Sequence, residues 1–182
     1  MTLSVDQVSL REVMEGIVSI VQPQVRSKHQ QFDVSIHDIT AETVCCDGVR
    51  LNQVLLNILG NAVKFTPDGG KIGVSMYEEP SDKGEDFVRI HFHISDTGIG
   101  MTEEFKEHIF ESFVREDNTR VRKTEGSGLG MAITKYIVDA MGGLIEVESA
   151  PGEGTRFHVT LDLEKAEIAE ADMVLPPWNM LV

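Results

Sequence analysis

The chain has 182 residues, 41% of them hydrophobic, and a formal net charge of −14 at neutral pH. That is enough apolar material for one substantial core, and the acidic balance excludes a nucleic-acid surface, which needs a basic stripe against phosphates. No run of about 18 apolar residues could cross a bilayer and no secretory pattern is read, so the cytosol is the expected compartment.

Residues 2–8 read as a short extended lead-in. Ser9-Leu-Arg-Glu12 has capping-box spacing, and Leu10, Val13, Met14, Ile17, Val18 and Val21 follow at helical intervals, with Pro23 set to kink or shorten the helix near its end. Phe32-Asp-Val34-Ser-Ile36 alternates as a half-buried strand does, and Val44 with the cysteines suggests a second short one. Cys45 and Cys46 are adjacent, poor geometry for a disulfide and without metal-type spacing, so both read as reduced thiols. Asp47 suits the N-cap of a second helix, whose apolar side holds Val49, Leu51, Val54, Leu55, Ile58, Leu59 and Ala62. Gln53, Asn57 and Asn61 stack on a neighbouring face at i, i+4, i+8, with Lys64 close by.

Thr66-Pro-Asp-Gly-Gly70 is a turn; Ile72–Met76 reads as a strand, 78–86 as a polar hairpin loop, and Phe87–Ser95 as a strand burying Val88, Ile90, Phe92 and Ile94. His91 and His93 fall on its other face, where they are expected to meet solvent, since a metal role for that pair would need a third ligand. Thr102 can cap a short helix through Ile109, and Phe110 and Phe113 offer aromatic packing. The span 114–127 loses periodicity and gathers Arg115, Arg120, Arg122 and Lys123 beside a glycine loop, the composition of a lid. Leu129, Ile133, Ile137 and Met141 propose a core stripe for the next helix, ended by Gly142-Gly143. Strands over Leu144–Glu148 and Thr155–Leu163, joined by the turn Ala150-Pro-Gly-Glu-Gly154, close a domain of residues 1–163, and 164–182 reads as a linker. Helices and strands mix without strict alternation, favouring an α+β, two-layer α/β sandwich over a Rossmann sheet.

Three separated pieces make chemical sense together: Asn57-x-x-x-Asn61-Ala-x-Lys64-Phe65, Asp96-x-Gly98-x-Gly100-Met101, and Gly126-Ser127-Gly128-Leu129-Gly130. An ionised aspartate is an acceptor and suits the exocyclic amine of adenine rather than the carbonyl of guanine. Gly98 and Gly100 allow close approach to a flat base, and Asn61 offers a neutral oxygen to a hard cation such as magnesium. Lys64 and the basic residues of the proposed lid can offset phosphate charge, and amides from Ser127 to Leu129 at a helix start can cradle phosphate oxygens. The set suits ATP. Neither the G-x-G-x-x-G nor the Walker fingerprint is present.

In order, these motifs resemble those of the catalytic and ATP-binding domain of sensor histidine kinases, in the superfamily shared with gyrase and related chaperone and mismatch-repair ATPases. The resemblance runs from about residue 5 to 163. It covers the N box at Asn57–Phe65, a first glycine box at Asp96–Gly100, a phenylalanine box around Phe110 and Phe113, a second glycine box at Gly126–Gly130, and Gly152-x-Gly154-Thr155-x-Phe157. It implies a Bergerat fold, a mixed and mostly antiparallel sheet covered by helices on one face. It also implies that Asn61 coordinates magnesium, that Asn57 and Lys64 contact phosphates, that Asp96 selects adenine, and that Thr155 supports it through water. Arg115 is similar in placement to an arginine at the lid base that assists the phosphates. Asn57, Lys64 and Arg115 would then be catalytic, and Phe65, Gly98, Gly100, Met101, Gly126, Ser127, Gly128, Leu129 and Gly130 would complete the nucleotide site.

What such kinases phosphorylate is a histidine on a helical hairpin, in a sequence like His-Glu/Asp-Leu/Ile-Arg-x-Pro. His37-Asp38-Ile39-Thr40-Ala41 lacks the arginine and proline and stands at a strand end, so the acceptor is expected on a separate dimerisation and phosphotransfer hairpin. The segment Leu175–Val182 resembles the start of a receiver domain, which makes a receiver or response regulator an expected partner and a membrane-anchored hybrid kinase a possible parent. Hydrolysing relatives carry a water-activating glutamate where this chain has Asn57, which an amide cannot replace as a base. The alternatives are a stand-alone ATPase and a nucleotide-binding regulatory module.

Overall fold

A computed structural model describes residues 2–111 and 130–166. Seven strands form one sheet in the order β1-β3-β7-β5-β4-β2, with β6 pairing β7 outside that path. They are β1 (Asp6–Ser9), β2 (Gln31–His37), β3 (Thr43–Cys46), β4 (Lys71–Pro80), β5 (Phe87–Asp96), β6 (Leu144–Ala150) and β7 (Gly154–Lys165). Among the described residues only β2 and β4 run parallel; every other strand pair is antiparallel. Helices α1 (Leu10–Ser27), α2 (Gly48–Phe65) and α4 (Gly130–Ala140) pack with the inward side chains of the sheet into one core, and a short α3 (Glu103–Glu107) follows β5. The α+β two-layer sandwich is thus the observed architecture.

Local signals place the helices. The Ser9 hydroxyl accepts from the amide of Glu12 at 3.2 Å, Asp47 Oδ1 from that of Arg50 at 3.2 Å, and Thr102 Oγ1 from that of Phe105 at 3.1 Å. Each satisfies an amide that the first helical turn leaves without a partner. Alternation places β5: Val88, Ile90, Phe92 and Ile94 are buried against α1 and α2 in the common core. Cys45 and Cys46 are free thiols, as expected, and burial beside Asp47 pushes Cys46 up to about 11, far from a reactive thiolate.

Several boundaries differ from the sequence reading, for physical reasons. Helix α1 continues four residues past Pro23, because Val25 buries against the core and outweighs the missing amide. Strand β4 runs to Pro80 instead of ending at Met76, since Glu78, Glu79 and Pro80 pair with Ile90, Arg89 and Val88. The Glu78 carboxylate is not loop-like either; it accepts from the Ala41 amide at 2.9 Å and from the Thr40 hydroxyl. The buried stripe of α4 is Met131, Thr134, Ile137 and Val138; Met141 packs partly buried against the core as expected, whereas Ile133 is 38% exposed. Val49, read as apolar core, is 76% exposed at the first turn of α2. The short helix after Thr102 closes at Glu107 rather than Ile109. Strand β7 extends through Lys165, two residues into the stretch read as linker, where Lys165 pairs with Val44.

Candidate active site

The site is built where β5 leaves the middle of the sheet. Its last residue, Asp96, stands opposite Ile72 on β4 and Thr155 on β7, so two neighbouring strands fix its backbone. The chain then turns sharply. The Gly98 amide donates to Asp96 Oδ1 at 2.8 Å, and Ile99 donates to the Phe65 carbonyl, at the end of α2, at 3.2 Å. A Cβ on Gly98 would lie 2.6 Å from that same carbonyl oxygen, so the turn closes only around glycine. On its other side Gly100, at φ +69°, would carry a Cβ 1.9 Å from the Ala150 oxygen, and Gly154, at φ +83°, one 2.0 Å from the Asp96 oxygen. The loop is therefore clamped between the end of α2 and the β6–β7 turn.

A serine that the sequence reading missed ties this clamp together. Ser149 accepts from the Met101 amide at 2.9 Å, donates to the Gly154 carbonyl at 2.9 Å, and meets Thr155 Oγ1 at 2.8 Å. Its single proton goes to the carbonyl, so the Thr155 hydroxyl is the donor between the two side chains. Hairpin register carried the signal, because Ser149 and Thr155 face each other across the β6–β7 turn. Asp96 is half-buried. Burial pushes its carboxyl above the ordinary range, and the amides of Gly98 and Thr155 only partly pull it back.

Helix α2 supplies the polar face. The Asn57 amide nitrogen donates to Thr134 Oγ1 at 3.1 Å and lies 3.4 Å from the Gly130 carbonyl oxygen, so it holds the start of α4. Thr134 is fully buried and was not foreseen; its hydroxyl in turn donates to Gly130 at 2.8 Å. Asn61 follows one turn after Asn57, half-buried, and the Lys64 ammonium lies 5.7 Å from the centre of the Phe65 ring. The C-terminal carbonyls of α2 are capped from the side: Lys28 donates to Val63 at 2.8 Å, and Gln30 to Thr66 at 2.9 Å.

Asp96, Gly98, Gly100, Met101 and Thr155 thus form one contact cluster with Phe65, while Asn57 and Gly130 meet at the other end of the same α2 face. Asn61 and Lys64 occupy the turns between them. Phe113, Arg115, Gly126, Ser127, Gly128 and Leu129, with the rest of the proposed lid and the segment Leu175–Val182, lie outside the described residues.

This arrangement coincides with known proteins. Residues 46–165 match the family model described as histidine kinase-, DNA gyrase B- and HSP90-like ATPase, and the chain belongs to that family. Among curated relatives, the sensor histidine kinase GacS of Pseudomonas protegens is 34% identical over 169 residues, covering 93% of this chain and 18% of its own length. The chain therefore spans about a fifth of that relative. A crystal structure of full-length ShkA in complex with AMPPNP superposes with a TM-score of 0.76 at 29% identity, over 92% of this chain and 33% of that one. The mycobacterial sensor histidine kinase MprB gives 0.72 at 29%, over 90% of this chain and 100% of that one. By sequence and by fold the chain thus carries the ATPase domain of this family, and the relatives it resembles over most of its length are sensor histidine kinases.

Proposed function

We propose that this domain binds ATP with magnesium across the α2 face and the Asp96 loop, and presents the γ-phosphoryl group to a histidine on a separate helical hairpin. The observation that carries the reading is the Asp96 clamp. A half-buried carboxylate is fixed on the central strand, on a turn whose glycines let the Phe65 and Ala150 carbonyls close directly against it. Such a carboxylate accepts from the adenine amine and repels the guanine carbonyl, and Thr155 on the next strand supports it. Asn57 and Lys64 on α2 are assigned to the phosphates, and the sequence motifs assign Arg115 and Gly126 to Gly130 to them as well, all but Gly130 of these lying outside the described residues.

The donor chemistry of α2 fits magnesium. Asn61 presents one neutral oxygen on a half-buried helical face, the sparse protein ligation this ion accepts when phosphates and water complete its shell. When bound, the ion neutralises charge developing on the phosphate oxygens. The chain's own part is to bind, align and shield the triphosphate, since phosphoryl transfer asks for positioning more than for covalent help. Asn57 cannot take a proton from water, which favours an imidazole acceptor over hydrolysis. The partners are accordingly the hairpin, with a receiver domain or response regulator downstream. Within the described residues no helix is long and apolar enough to cross a membrane.

Calorimetric titration with ATP and with GTP, with and without magnesium, tests the reading. Adenine-selective binding strengthened by magnesium is expected, and equal affinity for the two nucleotides would remove Asp96 from its role.

A further inference from the structure

The face of the sheet turned away from α1, α2 and α4 carries a second cluster that the ATP site does not use. His91 and His93 were expected to face solvent singly. In the fold a third imidazole arrives from β7: His158 stands directly opposite His93, with His91 one side chain further along the same face. The nitrogens these three residues offer all lie within 4.8 Å of one another. His91 is only 8% exposed, and the rings of His93 and His158 stack at 4.0 Å.

We propose that His91, His93 and His158 form a binding site for a divalent transition-metal ion, zinc being the best fit. Three imidazoles with an open fourth position are a common zinc donor set, and nitrogen ligands suit this group of metals over magnesium or calcium. The surroundings fix the ligand atoms. His91 Nε2 lies 2.7 Å from Glu79 Oε1, so the acceptor-only carboxylate holds a proton on Nε2 and leaves Nδ1 bare. A carboxylate behind a histidine in this way is the usual outer partner of a zinc ligand.

Bare Nδ1 faces His158 Nε2 at 2.7 Å, so without metal His158 must carry its proton there, as the donor. Metal binding needs no net proton loss, because that proton moves to His158 Nδ1, which lies 3.7 Å from Glu146. Tyr77 adds a hydrogen bond to His93 Nε2 at 3.1 Å. Nitrogens on a tetrahedral zinc lie about 3.3 Å apart, so the closest pair opens slightly and the third ring swings in, movements within the reach of imidazole rotation. Burial first, then the neighbouring imidazoles, holds His93 and His158 below the ordinary histidine range, with Arg156 adding to this at His93, Glu148 opposing it at both, and Glu146 and Glu79 opposing it at His158. A metal here would staple β5 to β7, three rungs from the pair Asp96–Thr155.

The test is calorimetric titration of the metal-stripped chain with zinc chloride, without nucleotide because triphosphates chelate zinc, together with cobalt(II) absorption to report nitrogen ligation. One ion per chain and a raised melting temperature are expected. His93→Gln and His158→Gln should each lower affinity about tenfold or more, while Cys45→Ser with Cys46→Ser should leave it unchanged. Because a variant could misfold, imidazole ¹⁵N spectra of the unmodified chain give a second reading. Zinc should shift the nitrogens of His91, His93 and His158 and not those of His29, His37 or His108. No saturable binding at micromolar zinc, equal affinity in the variants, or shifts at other histidines would overturn the site.

Discussion

Replacing Asp96 with asparagine separates what this residue does for nucleotide binding from what it costs the fold. The carboxylate already serves two backbone donors, Gly98 at 2.8 Å and Thr155, and in the proposed complex it also serves the adenine amine. Asparagine has one oxygen in place of two and brings an amine of its own into a site crowded with donors. A charge-assisted hydrogen bond contributes about 1.5–3 kcal/mol, which predicts ATP affinity falling by about 10- to 150-fold. The nucleotide-free fold should respond in the opposite sense. Burial raises the Asp96 carboxyl above its ordinary range, so the stability linked to it is complete at low pH and declines as pH rises through the raised value. At neutral pH the charge is therefore a net cost that asparagine removes. Urea unfolding should find the variant at least as stable as the parent at pH 7, with its advantage fading as acid protonates the parent's Asp96. Calorimetry with ATP measures the other half. Retained ATP affinity, or a variant that unfolds more readily at pH 7, would refute the reasoning.

Other substitutions probe neighbouring claims. Asn61→Ala should weaken ATP binding with magnesium more than without it; equal losses in a paired titration would remove Asn61 as the metal's ligand. Gly154→Ala forces a Cβ to within 2.0 Å of the Asp96 oxygen at φ +83°, so chemical denaturation should show a loss above about 2 kcal/mol. Gly16→Ala, in the middle of α1 with nothing within 4 Å, should raise stability by about 0.5–1 kcal/mol in the same assay. Thr134→Val keeps the shape but removes the hydroxyl joining Asn57 to α4, costing about 1–2 kcal/mol; an unchanged denaturation midpoint would mean that this bond contributes nothing.

The sequence was most legible where its physics is local. Ser9, Asp47 and Thr102 cap helices because the accepting oxygen and its amide are three residues apart. The alternation of β5 is visible because side chains on a strand alternate whatever its neighbours are. The glycines around Asp96 stood out as a motif, and the fold shows why each is glycine. What was lost depends on register. His158 meets His93 across 65 residues of chain, so neither the burial of His91 nor the third imidazole can be read from either strand alone. Thr134 looks like an ordinary helical threonine until Asn57 arrives from α2. Pro80 sits in a strand, where proline is usually disfavoured, because it lies at the strand's end.

The most direct test of the central claim uses radiolabelled ATP. The domain alone should bind it but neither label itself nor hydrolyse it appreciably, since no histidine of the chain stands in an acceptor motif and Asn57 replaces a water-activating glutamate. Adding the parent kinase's acceptor hairpin as a separate polypeptide should transfer label to the hairpin, and the label should be lost in acid, as phosphohistidine is. Acid-stable label on the domain itself, or hydrolysis by the domain alone that Asn57→Ala abolishes, would contradict transfer to histidine.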